Sequence, residues 1–340
     1  FADNIAGTYS ELVDMMRTDG SLYGDTKLFF AVDVLKSAPF QADAEAANLL
    51  NIYRPEAPEV QAITIDQFRQ ISLTVDNWLS KRAFSEEGAF ASFNSVMLGM
   101  IRETKRIYDA TLFNTYIGTA ETKEGRQMLT VTLPTEQGNT EATNRLRAQA
   151  IATKIADTFV ELKDVSRDFN DYGNMRSYRE DDLIVVWNSE FVNEITKFDL
   201  PTLFHKEGLI DKFGQYTLPA RYFGEVAGAS GTATVGEANT TVRSLVEADY
   251  TGTSGTVHVF PGELIPAGAT YNKAEAYNTN PNIICKIMHK RSVPFMSAFE
   301  VGTSFFNAKS LTENHYLTWG YNKPQYLHNY PFITLVAQGA

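Results

Sequence analysis

The longest helical pattern in the chain lies between residues 88 and 118. Its apolar side chains recur at steps of three and four, which places them on one stripe of an α-helix. The stripe consists of Phe90, Phe93, Met97, Met100, Ile101, Tyr108, Leu112 and Tyr116. The opposite face carries Arg102, Glu103, Lys105, Arg106 and Asp109, and Gly118 suits the end of the helix. About 28 residues make a rod about 42 Å long. We therefore predict a central helix along which the rest of the chain packs.

Alternating apolar positions before this helix predict two long strands. One face of the first strand carries Leu28, Phe30, Val32 and Val34, and the second strand carries Ile63, Ile65, Ile71, Leu73 and Val75. Prolines and a short alanine-rich piece separate them, so we predict an extended hairpin arm with a wide connection. An isolated two-stranded hairpin is marginally stable in water, so another element or another copy of the chain should stabilise it. An ordinary hairpin at a sheet edge is the alternative.

A short helical stripe precedes this hairpin. It consists of Tyr9, Leu12, Val13 and Met16, and Gly20 ends it. An apolar face this short needs a surface to lie on, and a neighbouring subunit is one candidate.

The segment after the central helix alternates helices and strands. The pattern predicts a strand at 126–133 that ends at Pro134, a helix from 139 or 140 to about 164, a strand at 183–187 and a short helix at 190–198. Residues 183–187 are all apolar, which is typical of a strand buried on both faces. The order predicts a compact α+β domain.

The composition changes sharply after residue 228. Residues 228–280 are rich in Gly, Ala, Ser and Thr, which predicts an inserted loop or a small β lobe on the surface. The buried pattern resumes at 283–288. Residues 293–306 and 316–336 are rich in aromatic side chains and predict strands that return to cover the central helix.

Composition narrows the class of protein. The chain has 340 residues, of which 44% are hydrophobic and 21% charged, as in globular proteins. Its formal net charge of −11 argues against a dedicated nucleic-acid binder, which usually carries a basic face, but allows a protein that encloses nucleic acid. No apolar run is long enough to cross a bilayer. The single cysteine, Cys285, cannot form an internal disulfide, which favours assembly in a reducing cytoplasm and a packed core thiol.

The sequence offers little that predicts catalysis. It contains none of the common glycine-rich phosphate-binding, dinucleotide-binding, serine-hydrolase or zinc-protease motifs. The five histidines are scattered without metal-like spacing. His289 stands in His289-Lys290-Arg291, a cationic cluster that we expect to meet a partner's carboxylates. We predict no catalytic residue, no cofactor-binding residue and no metal ligand, and hence no enzyme.

The acidic run Glu180-Asp181-Asp182 is the one candidate for a divalent metal site. Acidic residues just before a strand are more often solvated or paired, here with Arg176 and Arg179. That second interpretation is our expectation.

Two other functions are kept as alternatives. One is an enzyme with its site in residues 140–285, around Arg176, Glu180 and Asp182. The other is a surface or fibre-associated binding protein, which the Gly/Thr-rich stretch and the 12% aromatic content suggest.

Two short segments carry a resemblance to a known family. The first is Ser166-Arg167-Asp168-Phe169-Asn170, followed by Arg176-Ser177-Tyr178-x-Glu180-Asp181-x-Leu183-Ile184, and the second is Tyr316-Leu-Thr-Trp319. Together with the order of arm, hairpin, central helix and α+β domain, they resemble major capsid proteins of tailed bacteriophages with the Hong Kong 97 fold. The first segment is similar to that of short-tailed phages of the phi-twenty-nine-like and crAss-like kind.

The resemblance implies an α+β fold with the named parts of that family. They are an N-arm at 1–23, an E-loop hairpin at 24–79, a P-domain with a spine helix at 80–138, an A-domain at 139–285 that includes the insertion 228–280, and return strands of the P-domain at 286–340. Some members of the fold form Lys–Asn cross-links between subunits. No such set of residues matches here, so we predict none.

The resemblance also implies a function. Copies of the chain would assemble into hexamers and pentamers that form an icosahedral shell around packaged double-stranded DNA, without sequence-specific binding. The expected partners are other copies, scaffolding and portal proteins, and decoration proteins. We expect assembly in the host cytoplasm, residence in the virion, and no membrane association.

Overall fold

The computed structural model describes residues 11–19, 24–40, 52, 54–76, 87–119, 127–134, 140–196, 214–236 and 241–338. Its helices are α1 (Glu11–Met16), α2 (Glu87–Thr119), α3 (Thr140–Lys163) and α4 (Ser189–Thr196). Its strands are β1 (Arg17–Asp19), β2 (Thr26–Ala31), β3 (Glu59–Asp76), β4 (Met128–Thr132), β5 (Leu183–Asn188), β6 (Gly214–Leu218), β7 (Gly224–Val226), β8 (Thr232–Thr234), β9 (Val242–Ser244), β10 (Ala248–Gly252), β11 (Gly255–Val259), β12 (Thr270–Asn272), β13 (Ala276–Thr279), β14 (Ile283–His289), β15 (Phe295–Asn307), β16 (Thr312–Asn322) and β17 (Phe332–Gln338). Short 3₁₀ turns lie at Glu180–Asp182, Ala220–Tyr222 and Lys273–Glu275.

The predicted central helix is confirmed as α2, which has 33 residues. Its C-terminal half is buried because the returning aromatic strands cover it, as predicted. Phe113, for example, packs edge-to-face on Phe295 of β15. The N-terminal half differs, since Val96, Leu98 and Met100 are exposed. Met100 therefore does not lie on a buried stripe.

Two charged residues of the predicted polar face of α2 are buried. Lys105 is 7% exposed and Asp109 is 5% exposed. Lys105 Nζ lies 2.9 Å from Glu300 Oε2 of β15 and 3.6 Å from Asp109 Oδ2. Opposite charges are thus placed together, which allows this side of the helix to be covered.

Gly118 lies next to the last residue of α2, close to the predicted end of the helix, and it also permits a close contact. α2 continues through Thr119. A Cβ atom at position 118 would lie 2.0 Å from the carbonyl oxygen of Tyr222. The helix can approach the turn Ala220–Tyr222 this closely only because glycine has no side chain.

The first sheet has the strand order β1-β15-β16-β3-β2. The predicted hairpin is confirmed, since β2 pairs antiparallel with the first part of β3, from Thr26 opposite Thr64 to Ala31 opposite Glu59. β2 ends at Ala31, earlier than the sequence pattern predicts. Residues 65–76 of β3 pair with β16. The inner strand of the hairpin therefore continues into a wider sheet of the same chain.

α1 packs on its own subunit rather than requiring a neighbour. Leu12, Val13 and Met16 are almost fully buried, in the same apolar cluster as Phe113 of α2. Tyr9, the remaining position of the predicted stripe, and Gly20, its predicted end, lie outside the described residues.

The second sheet has the order β4-β17-β14-β5-β6. β5 and β14 are buried along their whole length. Leu183 and Val185 face a cluster that includes α3, whereas Ile184 and Val186 face the cluster that includes α2. Because apolar clusters cover both faces of β5, its sequence is a continuous apolar run at 183–187. α3 carries most of its predicted apolar face inward, but Leu146 is exposed.

The division between domains at 285/286 lies inside β14. That strand pairs with β5 on one side and with β17 on the other. Residues 286–340 thus supply strands to both sheets, because β15 and β16 belong to the first and β17 to the second.

The Gly/Thr-rich stretch forms a small β lobe, one of its two predicted forms. It contains β8 to β12 and is joined to the body through β7 and β13, which pair antiparallel. Its own apolar cluster includes Val235, Val242, Tyr250, Val259 and Ile265.

Candidate assembly surfaces

One face of the hairpin carries a row of uncovered apolar side chains. Leu28, Phe30, Val32 and Val34 are each more than half exposed. Val60, the cross-strand partner of Phe30, extends the same face and is also exposed. A contiguous apolar patch of this kind marks an interaction surface more often than an ordinary solvent face. We call β2, residues 32–40 and residues 59–64 the arm.

The arm is fastened to the body through Asp33. Its Oδ2 accepts a hydrogen bond from Arg167 Nη1 at 2.6 Å, and its Oδ1 accepts one from the backbone N–H of Met175 at 2.9 Å. Arg167 also donates to the carbonyl of Gly173 at 2.6 Å. The Met175 N–H, followed by Arg167, lowers the pKa of Asp33 to about 2. The sequence provided no signal for this contact, since an isolated aspartate in an exposed strand is unremarkable.

A second set of hydrogen bonds holds β3 where the arm meets the body. Gln61 donates to the carbonyl of Tyr326 at 2.9 Å and accepts from the backbone N–H of His328 at 2.9 Å. Asp171 accepts from the Tyr326 hydroxyl at 2.7 Å and from Gln127 at 2.7 Å. The arm is therefore anchored at two points on segments distant in sequence.

A groove of about 740 Å³ lies between the N-terminal half of α2 and the hairpin of β15 and β16. Its lining includes Leu98, Ile101, Arg102, Gly302 and Leu317. Beyond the groove, Phe305 and Phe306 of β15 are exposed. The groove thus has a mixed lining, in which apolar side chains alternate with polar and charged ones.

A β-bulge in β15 aims Glu300 at the central helix. The pairing with β16 shifts between Ala298 and Glu300, and the intervening Phe299 has a φ of 24°. Glu300 thereby reaches Lys105. Burial raises the pKa of the neighbouring Asp109 to about 6, against the opposing effect of Lys105.

The acidic run before β5 does not form the site considered from the sequence. Glu180 pairs with Lys163, not with Arg176 or Arg179 as expected. The Lys290 ammonium donates to the carbonyl of Asp181. In the ranges that the structure describes, no group of three or more His, Cys, Asp or Glu side chains is placed to hold a metal ion.

His289 does not present a cation to a partner, so the prediction is wrong for this residue, whereas a partner carboxylate for Lys290 and Arg291 stays a prediction. The side chain is buried and stacks on Tyr330, with ring centroids 4.4 Å apart. Burial lowers its pKa to about 4, so the imidazole is neutral near pH 7. Sequence context alone could not distinguish a buried histidine at a strand end from an exposed one.

Cys285 is a buried core thiol, as predicted, and burial raises its pKa. The next residue, Lys286, is also fully buried, which was not predicted from the sequence. Its Nζ donates to Thr334 Oγ1 at 2.8 Å and lies 5.5 Å from the Phe332 ring centroid. Burial lowers the pKa of Lys286 to about 7. A single lysine within the apolar run of 283–288 was the available signal.

No helix among the described residues is both long and apolar enough to cross a membrane.

The chain is similar to known proteins in both sequence and fold. The sequence model of the Phi29-like phage major capsid protein family matches residues 8–333. No curated protein matches the chain in sequence. The fold is similar to a chain in the capsid structure of Staphylococcus phage Andhra, with a TM-score of 0.62 and 8% identity over 95% of this chain and 83% of that one.

Two further structures share the fold. A chain in the structure of head fiber and inner core protein gp22 of native bacteriophage P68 gives a TM-score of 0.65 and 9% identity, covering 96% of this chain and 84% of that one. A chain in the capsid structure of the cyanophage P-SCSP1u gives 0.52 and 10%, covering 100% and 92%. At such identities the likeness concerns the fold.

Proposed function

This chain belongs to the Phi29-like phage major capsid protein family, and we propose that its copies assemble as hexamers and pentamers into an icosahedral shell. Family membership makes it a structural protein of the virion capsid. Its fold is of the Hong Kong 97 type. The resemblance drawn from residues 166–184 is thereby confirmed at the level of the family.

The uncovered apolar face of the arm is the observation that supports assembly most directly. Four side chains from Leu28 to Val34 are more than half exposed. Burying each against a neighbour would contribute on the order of 1 kcal/mol. A shell repeats the contact in every subunit, so the exposed face becomes an interface. We infer that the arm acts as the E-loop that grips a neighbouring copy.

The groove beside α2 is the surface that we assign to receive the neighbour's arm. It is open, it lies along the exposed N-terminal half of the central helix, and Leu98 and Ile101 form part of its wall. Its apolar positions, Leu98, Ile101 and Leu317, offer the apolar side chains of 28–34 a surface to pack on. The Asp33 contact ties the arm to residues 167 and 175, neither of which lines the groove.

We keep the division into parts that the resemblance implies, with one adjustment. Residues 1–23 act as the N-arm, 24–79 as the E-loop and 80–138 as the P-domain. The A-domain takes β14 whole and is completed by β17, which pairs with both β14 and β4. β15 and β16 are then the return strands of the P-domain. The lobe at 228–280 is an insertion in the A-domain.

Assembly into a shell implies partners other than copies of the chain. Scaffolding, portal and decoration proteins are proposed partners, with assembly in the host cytoplasm. The enclosed double-stranded DNA is held without sequence-specific contacts. The formal net charge of −11 supports this, because phosphate binding depends on Lys and Arg.

We assign the chain no catalytic role. The family and the fold are structural, and Glu180 of the enzyme alternative is engaged in an ion pair with Lys163. The alternative of a surface or fibre-associated binding protein is not favoured, because the capsid family match spans residues 8–333.

The test compares two valines of equal exposure. Val32 on the arm and Val160 on α3 are both 63% exposed. We expect Val32→Ser, and more strongly Phe30→Ser/Val32→Ser, to yield folded subunits whose shell yield falls by roughly tenfold. Val160→Ser should assemble like the parent chain. Circular dichroism checks folding, and negative-stain electron microscopy together with sedimentation measures the shell yield.

Equal shell yields for the arm variants and for Val160→Ser would refute the arm as an assembly contact. Deleting residues 37–58, which spares β2 and β3, provides a second test of the same assignment. Closed shells of normal yield from this deletion would likewise contradict it.

A further inference from the structure

His258 has a carboxylate at each of its ring nitrogens. Nδ1 lies 2.6 Å from Oδ1 of Asp249, its cross-strand partner on β10. Nε2 lies 2.8 Å from Oε1 of Glu247, in the loop before β10. The Phe260 ring meets the imidazole edge-on, with centroids 5.3 Å apart.

This arrangement requires a protonated imidazole. Ionised carboxylates only accept hydrogen bonds, and a neutral imidazole has one N–H donor and one acceptor nitrogen. A neutral His258 could therefore bond to Asp249 or to Glu247, but not to both. The ring nitrogens point away from one another, so the two carboxylates cannot converge on one metal ion.

Glu247 connects this group to the long strand β3. Its Oε2 lies 3.1 Å from Arg69 Nη1, and its carbonyl accepts a hydrogen bond from Arg69 Nη2 at 3.0 Å. The Arg69 guanidinium in turn lies 4.9 Å from the ring centroid of Tyr108 on α2. A continuous polar chain thus runs from the lobe to the central helix.

We propose that His258 is a proton-operated latch: as an imidazolium it holds Glu247 against Arg69 and fastens the lobe to β3, and loss of the proton loosens the lobe. The charged groups that face it among the described residues are Asp249 from β10, Glu247 from the preceding loop and, through Glu247, Arg69 from β3. This latch goes beyond the capsid assignment, since it concerns how the lobe is attached.

The direction of the pH dependence follows from the same contacts. Hydrogen bonds to Asp249 and then to Glu247 raise the pKa of His258 above its ordinary value. The contribution of the latch is complete below the ordinary histidine pKa of about 6.5 and is lost as pH rises through the raised value. The lobe is therefore fastened in mildly acidic solution and looser in alkaline solution.

The first test is an NMR titration of the full chain with ¹³C-labelled histidine, the His258 signal being assigned by its absence in His258→Gln. We expect a pKa above 6.5. In Glu247→Gln/Asp249→Asn the pKa of His258 should fall towards the ordinary value, because both hydrogen-bonding carboxylates are lost. A pKa at or below the ordinary value in the parent chain, or one unchanged in the double variant, overturns the proposal.

The second test measures amide hydrogen exchange in residues 246–252 and in β3, corrected for intrinsic rates, from pH 6 to pH 8.5. Losing one hydrogen bond corresponds to roughly a 3–10-fold fall in protection of residues 246–252. His258→Gln should show low protection at every pH. Arg69→Gln should remove the effect in β3 while leaving the His258 titration raised.

His315→Gln is the control, because His315 lies no closer than 3.9 Å to its neighbouring carboxylate on Glu313. It should keep the exchange profile of the parent chain. An unchanged pH dependence in His258→Gln would overturn the latch while leaving the capsid assignment intact.

Discussion

Asp33 on the arm accepts a hydrogen bond from Arg167, 134 residues further along the chain, with 2.6 Å between Oδ2 and Nη1. Arg167 belongs to the segment that carries the family resemblance. The contact joins the surface assigned to assembly with the α+β part of the subunit. It sets the direction in which residues 32–40 leave β2.

Removing this contact should release the arm without unfolding the subunit. We expect Asp33→Asn to increase proteolytic cleavage within residues 32–40 and to lower shell yield, because the arm no longer leaves the body at one angle. The pKa of Asp33 is lowered to about 2, so its contribution is present above the ordinary aspartate value and is lost only as pH falls through about 2. Cleavage of the parent arm should thus be the same at pH 7 and pH 5.

Lys36→Gln is the matched control for the arm. Lys36 pairs with Glu56 at 2.9 Å, but both side chains are highly exposed. Such a pair contributes little, so cleavage and shell yield should match the parent chain. Equal behaviour of Asp33→Asn and Lys36→Gln would contradict a positioning role for Asp33.

Two glycines of α2, Gly99 and Gly118, should respond in opposite directions to alanine. A Cβ at Gly118 would lie 2.0 Å from the Tyr222 carbonyl oxygen, whereas a Cβ at Gly99 meets nothing within 4 Å. Gly118→Ala should destabilise by about 1–3 kcal/mol through overpacking. Gly99→Ala should stabilise by up to about 1 kcal/mol through helix propensity. Urea unfolding of the unassembled subunit measures both, and stabilisation by Gly118→Ala would refute the close approach.

Asp109 should make the subunit less stable as pH rises. Its pKa is raised to about 6 by burial, so the contribution of its protonated form is complete below the ordinary value and is lost as pH rises through about 6. We expect Asp109→Asn to be more stable than the parent at pH 8, by on the order of 1–3 kcal/mol, with the difference shrinking at pH 5. Denaturant unfolding at both values measures this, with the exposed Asp157→Asn as control. If Asp109→Asn stabilised the subunit equally at pH 5 and pH 8, the pKa of Asp109 would not be raised by burial.

Lys286 should have the opposite pH dependence. Burial lowers its pKa to about 7, so its contribution is complete above the ordinary lysine value and is lost as pH falls through about 7. Lys286→Met should therefore gain more stability relative to the parent at pH 6 than at pH 9, by roughly 1–4 kcal/mol. The exposed Lys309→Met is the control. An identical gain at both pH values would mean that Lys286 stays charged or reaches water.

Local pattern was enough to predict the longest helices and several of the strands of this protein. The 3.6-residue period of 88–118 predicted α2, and the period of two in residues 28–34 and 63–75 predicted the hairpin of β2 and β3. The unbroken apolar run at 183–187 predicted a strand covered on both faces. These features are encoded locally, because side chains at fixed spacing share one face of a helix or strand. The order of the elements, with residues 166–184, also led to the capsid family.

Tertiary structure alone decided which polar residues are buried and what they meet. Lys105 and Asp109 have the spacing of a solvated helix face, yet β15 covers them and supplies Glu300. Lys286 interrupts an apolar strand and is nevertheless its buried centre. The contact of Asp33 with Arg167 and that of Glu247 with Arg69 each join segments more than 130 residues apart. No local pattern encodes such contacts, because the partner of a charged group is set by which distant strand the fold brings beside it.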